Sequence, residues 1–318
     1  MSHARVSVLV PLALLAALSA PAHATTQVQW VTPMADDIVS GSGLQSINLD
    51  ETPFVSEDGV AFVGKAQGDD STGTVRVYSE IDSRGVGGVP DLLIGSSVAM
   101  TTSSGTLLSS AGGGPVDVTF VLSFDGSFHT YSGNVFHQLV ATLTLSVPSA
   151  TVAFTNVTYQ SQLTFRTDLL DETAVNTESK GNVTYFEPGF VYVDEPYASA
   201  SSTVVSDDMD DLIGEVRLTV TMAPGQSFVL TNGLSTQVTP EPILPASGAF
   251  DYSQSWGAVD GFNTGRLSIL LPEGYALEGN TGLLTNAVVA PPVPEPASWG
   301  MMAAGLAVLG GFARRRAR

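Results

Sequence analysis

The 318-residue sequence contains no cysteine. That removes disulfides, thiol catalysis, iron–sulfur clusters and cysteine zinc sites from consideration. Basic residues are scarce as well, with 12 Lys and Arg against 31 Asp and Glu. The scarcity is uneven: Arg5, Arg314, Arg315, Arg316 and Arg318 lie near the two ends. Residues 25–296 therefore hold seven basic and all 31 acidic residues, a net charge of −24. Such a surface excludes nucleic acid, which needs a basic footprint, and disfavours docking on anionic lipid. It favours solubility and cation binding. The body also lacks a convincing amphipathic helical period, a G-x-S-x-G elbow, a P-loop and a dinucleotide fingerprint. With no catalytic motif, the sequence gives no reason to expect an enzyme. A chain bound for an oxidising compartment without disulfides must be stabilised by its core, and about 270 residues suffice for that.

The ends carry the topological information. "MSHARVSVLVPLALLAALSAPAHA" has a basic start at Arg5, an uncharged apolar stretch over 6–18, and a small-x-small cleavage site at Ala22-His23-Ala24. These are the parts of a secretory signal peptide, expected over residues 1–24 and cut by signal peptidase so that Thr25 leads the mature chain. At the other end, residues 297–313 carry no charge. As a helix they would reach about 25 Å, close to the thickness of a bilayer core. Arg314, Arg315, Arg316 and Arg318 follow in a basic tail, 314–318, and would stay on the cytoplasmic side as a membrane stop. Residues 290–296 form a Pro-rich linker in which Pro294-Glu295-Pro296 forbids regular helix and keeps the backbone extended and accessible.

Val293-Pro294-Glu295-Pro296, a Gly/Ala/Leu-rich span and an arginine cluster together resemble the PEP-CTERM sorting signal. The resemblance covers about residues 293–318. It implies a Gram-negative bacterium and processing by exosortase, a membrane cysteine protease/transpeptidase, with Pro294, Glu295 and Pro296 as the sorting motif. It also implies a setting of exopolysaccharide and biofilm. "VTFVLSFDGSF" and "NTGRLSILLPEGYALEGNTGLL" are similar to stretches that recur in the bodies of such proteins, β-rich and without assigned chemistry.

The body, residues 25–289, reads as strands. Val116, Val118, Phe120, Leu122 and Phe124 fall on one face, with Asp117, Thr119 and Ser123 on the other. Leu139, Ala141, Leu143, Leu145 and Val147 repeat the alternation, as do Val216, Leu218, Val220 and Met222. This period of two marks strands with one buried face. Further strands are expected near 59–65, 74–81, 151–166, 182–193, 248–256 and 264–271. Asp125-Gly126 and Asn232-Gly233 read as tight hairpin turns, and 167–181 as a helical turn or loop. The expected fold is all-β, one large antiparallel β-sandwich, jelly-roll-like, with the signal peptide before it and a transmembrane helix after it. "VDVTF…GSF" (116–128) is echoed by "VRLTV…GQSF" (216–228), either by duplication or by reuse of one hairpin chemistry.

Several residue groups carry candidate chemistry. His129 and His137 would need a third ligand, such as Asp125, to hold zinc. The acidic pairs Asp36-Asp37, Asp69-Asp70 and Asp194-Glu195, and above all Asp207, Asp208, Asp210 and Asp211, suggest Ca2+, although "SDDMDDLIG" lacks the ligand spacing of an EF-hand. A solvated charge run that blunts a strand edge explains the same residues. Tyr252 and Trp256 would share a strand face with Phe250 and could stack on a sugar ring if exposed. Asp168, Glu172 and Glu178 are the carboxylates available for glycoside cleavage. The expectation is an exported acidic surface or extracellular-matrix protein, structural or adhesive in exopolysaccharide. The alternatives are a secreted calcium- or carbohydrate-binding module and, more remotely, a glycan hydrolase.

Overall fold

A computed structural model describes residues 24–32, 35–49, 53–86, 94–109, 113–148, 156–167, 174–187, 190–193, 200–241, 251–280 and 288–289. Eighteen strands are numbered in chain order: β1 (Thr25–Val31), β2 (Asp36–Gly41), β3 (Leu44–Asn48), β4 (Phe54–Val55), β5 (Ala61–Asp69), β6 (Thr74–Asp82), β7 (Gly95–Ser109), β8 (Val116–Ser132) and β9 (Asn134–Pro148). The second half supplies β10 (Asn156–Thr167), β11 (Val175–Glu187), β12 (Phe190–Val193), β13 (Ala200–Asp208), β14 (Asp211–Met222), β15 (Ser227–Glu241), β16 (Trp256–Leu271), β17 (Tyr275–Gly279) and β18 (Val288–Val289). They form two nine-stranded sheets. Sheet A runs β12-β11-β10-β9-β15-β7-β1-β2, with β17 also on β7. Sheet B runs β13-β14-β8-β16-β6-β5-β3, with β4 on β5 and β18 on β16. Pairing is antiparallel apart from β16 with β18. The assembly is larger than the eight strands of a jelly roll.

The two sheets close on one apolar core. Leu139, Leu143 and Leu145 of β9 and Leu230 and Leu234 of β15 point inward from sheet A. Phe120, Leu122 and Phe128 of β8, Val216 and Leu218 of β14 and Ile269 of β16 meet them from sheet B. The alternation read at 116–124, 139–147 and 216–222 is thus the core face of three paired strands. Phe120 sits 5.7 Å from Phe228, and Phe124 meets Phe165 edge-on at 5.8 Å. Such ring pairs add to the burial that holds the sheets together.

Two expected turns are absent. Asp125-Gly126 lies inside β8 and Asn232-Gly233 inside β15, both in continuous strand. A Cβ at Gly126 would sit 2.6 Å from the Asp260 carbonyl oxygen and 2.7 Å from Leu139 Cδ2. Glycine is there because backbone and core approach closely, and a side chain would overpack the site. Asn232 is 1% exposed; its Oδ1 accepts the Thr101 hydroxyl at 2.6 Å, and its Nδ2 donates to the Gly73 carbonyl at 3.2 Å. Gly73 lies in the β5–β6 turn of the opposite sheet, so Asn232 ties the sheets together through the core. Asn232→Ala is expected to cost about 2 kcal/mol, because buried partners lose their bonds. Denaturant unfolding checks this, and a loss of only a few tenths would contradict the inward placement.

Other expectations are corrected in the same way. The echo is not a repeated hairpin: 126–128 continue β8, whereas 226–228 follow a turn at Pro224-Gly225, where Gly225 has φ of 83°, and enter β15 in the other sheet. The echoing strands β8 and β14 do lie side by side, with Thr119 and Thr219 Oγ1 atoms 2.9 Å apart. Val175–Glu187 is strand, so much of 167–181 is neither helix nor loop. Residues 252–255 form a turn, and the strand starts only at Trp256. β1, β2, β3, β4, β7, β13, β17 and β18 have no counterpart among the expected strands. Ala24 is buried and β1 opens at Thr25. The rest of the expected signal peptide, with Ala22, and residues 290–318 lie outside the described residues. No helix among the described residues is long and apolar enough to cross a membrane.

Candidate functional site

On the outer face of sheet A, strands β7, β9, β10 and β15 carry little charge for so acidic a body. Outward positions alternate along β7 as Val98, Met100, Thr102, Ser104 and Thr106, and along β15 as Ser227, Val229, Thr231, Ser235 and Gln237. Register places hydroxyls side by side: Thr102 Oγ1 is 3.1 Å from Thr231 Oγ1, Thr106 Oγ1 is 3.2 Å from Ser227 Oγ, and Thr158 donates to Ser146 Oγ at 3.3 Å. At one end of this face is an open depression of about 450 Å³, with Ser104, Thr106, Ser146, Ser227, Glu278 and Asn280 among its lining residues. It crosses β17, β7, β15, β9 and β10, which are consecutive in the sheet at that end. One row away is a niche of about 20 Å³ beside Gly233, lined in part by Thr142, Thr144 and Thr231. Thr144 is 7% exposed, and its hydroxyl has no partner among the described residues.

Sheet B carries a different cluster on its outer face. Trp256, at the start of β16, lies 4.4 Å from Tyr131, and Tyr131 lies 6.0 Å from His129. The Arg84 guanidinium stands 3.8 Å over the Trp256 ring, held there by a bidentate pair with Asp82 at 2.9 and 2.7 Å. Trp256 Nε1 donates to Glu80 at 2.7 Å, and the Tyr78 hydroxyl donates to the other Glu80 oxygen at 2.5 Å. Burial raises the Tyr78 phenol well above its ordinary range, helped by the Glu80 hydrogen bond. Tyr252 is not part of this group: no ring contact joins it to Trp256, and its carbonyl accepts the Ser83 hydroxyl at 2.6 Å. The pair expected on one strand face is therefore replaced by Tyr131 and Trp256. The polar edge of Trp256 is already used, and Tyr131, 49% exposed, is the aromatic ring most open to solvent beside the exposed Arg84.

The histidines separate rather than converge. His129 faces outward and its Nε2 lies 2.8 Å from Ser127 Oγ. His137 is fully buried, stacked on Phe128 at 5.4 Å, with Nε2–H donating to the His129 carbonyl at 3.0 Å. Its Nδ1 has no partner among the described residues, and burial pulls its pKa down to about 4. The two rings lie on opposite sides of sheet B, so no zinc pair forms. Among the described residues, no three His, Asp or Glu side chains gather as a metal set.

The acidic groups take separate places. Asp207 and Asp208 end edge strand β13, and Asp211 opens β14 opposite Asp208. The Asp208 carboxylate accepts the Asp210 N–H at 3.1 Å. The strand they cap has an irregularity between Val204 and Ser206, and its Val204 and Val205 are exposed. Charge and bulge together discourage strand addition there. Asp36 and Asp37 occupy an edge of the other sheet, β2 of sheet A. Asp70 is buried, and its Oδ1 accepts the Gly43 N–H at 3.1 Å; burial raises its pKa, Gly43 opposes that, and Asp69 adds to it. Glu178 pairs with Lys180 at 2.8 Å on β11. Asp168, Glu172, Asp194, Glu195 and Phe250 lie outside the described residues, as do Pro294, Glu295, Pro296 and the arginine cluster.

Residues 292–317 match the family model of the PEP-CTERM protein-sorting motif. The chain carries a PEP-CTERM tail. The match takes in Pro294, Glu295, Pro296, the uncharged span and Arg314 to Arg316. A PEP-CTERM tail implies an exported protein addressed to the cell envelope or surface and processed by exosortase. A search of curated proteins found no match to the chain. The PEP-CTERM motif thus describes the address, and the body must be read from its own surfaces. Of these, the sheet A depression was not foreseen, because its lining residues come from five strands; the Ser/Thr alternation in "SGTLLS" and "SFVLT" was its only trace in the sequence.

Proposed function

We propose that the chain is a structural or adhesive protein of an extracellular polysaccharide matrix, exported behind a cleaved signal peptide and held briefly in the inner membrane by residues 297–313. Exosortase acts near Pro294-Glu295-Pro296 and frees the body from the span and its arginines. The observation that carries this reading is the sorting motif on a strongly acidic, disulfide-free β-sandwich. Broad, two-sided sheets with acid-capped edges suit a protein that must stay soluble and unaggregated at high local density. The calcium alternative gains little from the β13–β14 hairpin, where strand alternation sends successive acids to opposite faces. Fractionation of the native host tests the proposal. The processed chain is expected in the matrix fraction and to be released when the matrix glycan is digested. Processed chain found wholly in the medium, with none retained by the matrix, contradicts it.

A further inference from the structure

We propose that the depression across sheet A binds a neutral glycan chain lying transverse to the strands. The inference rests on the export reading only for where such a glycan is met. Five consecutive strands span four gaps, about 19 Å at the usual strand spacing, room for several sugar rings in a row. The hydroxyl pairs Thr106/Ser227 and Thr158/Ser146 each spend one proton on the other member and keep one O–H to donate. Their oxygens retain acceptor capacity, and Glu278 adds a carboxylate at the rim, the strongest acceptor for a sugar hydroxyl. Val229 lies between them as an apolar contact for a ring face. The unpartnered Thr144 hydroxyl beside Gly233, more than nine-tenths buried, extends this donor set one row along the face. A buried hydroxyl without a partner is costly, and the Gly233 niche is large enough for one water to bridge it to a ligand above.

Charge selects the class of glycan. On the outward positions of β7, β9, β10 and β15 the charged side chains are Arg166 and Glu241, near the opposite end of the sheet from the depression. The body as a whole carries −24. An anionic polymer would meet no basic partner in the depression and net repulsion on approach, so the site suits an uncharged chain rich in hydroxyls. The sheet B aromatic cluster is the rival surface. There the indole N–H, the Tyr78 hydroxyl and both Glu80 oxygens already satisfy one another, leaving fewer groups for a ligand.

The test uses the full chain in a sugar-free zwitterionic detergent, with calorimetry against soluble cello-, laminari-, malto- and manno-oligosaccharides, and against alginate and hyaluronan. At least one neutral series is expected to give saturable heat and the anionic polymers none. Thr106→Val with Ser227→Leu removes one hydroxyl pair and fills the depression, and should weaken binding by about tenfold or more. Should that variant fail to fold, Glu278→Gln, at an exposed position, should still weaken binding several-fold. Tyr131→Ala, on the other sheet, should leave affinity unchanged. No binding to any neutral series, equal binding of alginate, or a loss that follows Tyr131→Ala instead, overturns the proposal. None of these results bears on tail processing, which is measured separately.

Discussion

Replacing Pro294 and Glu295 by alanine is expected to leave most of the chain as uncleaved precursor in the inner membrane. The two prolines fix their φ angles and lack N–H donors, so the segment resists regular helix and stays extended ahead of the uncharged stretch 297–313. With Pro296 alone remaining, alanines before it restore donors and conformational freedom, and the substitution also removes Glu295, the single acid of residues 290–318. Both changes act on the matched sorting motif and neither touches the sandwich. Immunoblotting of membrane and surface fractions should show a larger, membrane-bound species and only a minor processed band. A body variant such as Asp207→Asn with Asp208→Asn should be processed as the wild type is. Unchanged processing of the tail variant would argue that Pro-Glu-Pro is not what the protease reads.

The second large effect belongs to His137. In the unfolded chain its pKa lies near 6.5, and in the folded protein burial holds it to about 4. A histidine with a depressed native pKa binds its proton more readily when unfolded. Its neutral form therefore contributes fully above about pH 6.5, and that contribution is lost progressively as pH falls toward 4. The gap corresponds to about 3 kcal/mol, lost because a buried imidazolium would carry a second N–H that finds no acceptor among the described residues. His137→Gln keeps a donor for the His129 carbonyl but cannot titrate. Between pH 7 and pH 4, urea unfolding should show the variant losing about 3 kcal/mol less than the wild type, even if it starts lower at pH 7. Parallel pH curves for the two proteins would contradict the buried neutral tautomer.

The sequence displayed this fold unevenly, for physical reasons. Strands β8, β9 and β14 were legible because their inward positions are apolar and their outward ones polar. β7 was not, because Ser97, Thr101, Ser103 and Gly105 occupy its inward positions. These small and polar groups are tolerated inside because partners from elsewhere satisfy them: Ser97 donates to the Tyr78 carbonyl at 2.7 Å, and Thr101 donates to Asn232 Oδ1 at 2.6 Å. A pattern that equates inside with apolar cannot see such a strand. The Asp-Gly and Asn-Gly dipeptides misled for a related reason. A tight turn and a close approach of two sheets both call for glycine, and only the tertiary contacts at Gly126 and Asn232 tell them apart. The true turn glycines, such as Gly225, were less conspicuous in the sequence.

The candidate surfaces were harder still. Trp256 is an aromatic of interest in the sequence, but its partners Glu80, Arg84 and Tyr131 arrive from β6, the turn after it, and β8. No local window holds them together. The sorting tail, by contrast, was fully legible, because its signal is carried by consecutive residues and needs no fold to assemble it.

Mass spectrometry of the protein's C terminus, isolated from the surface of its native host, tests the central claim most directly. The account predicts a chain that lacks the apolar stretch 297–313 and the arginines beyond it. Recovery of surface protein still ending in Arg318 would contradict it.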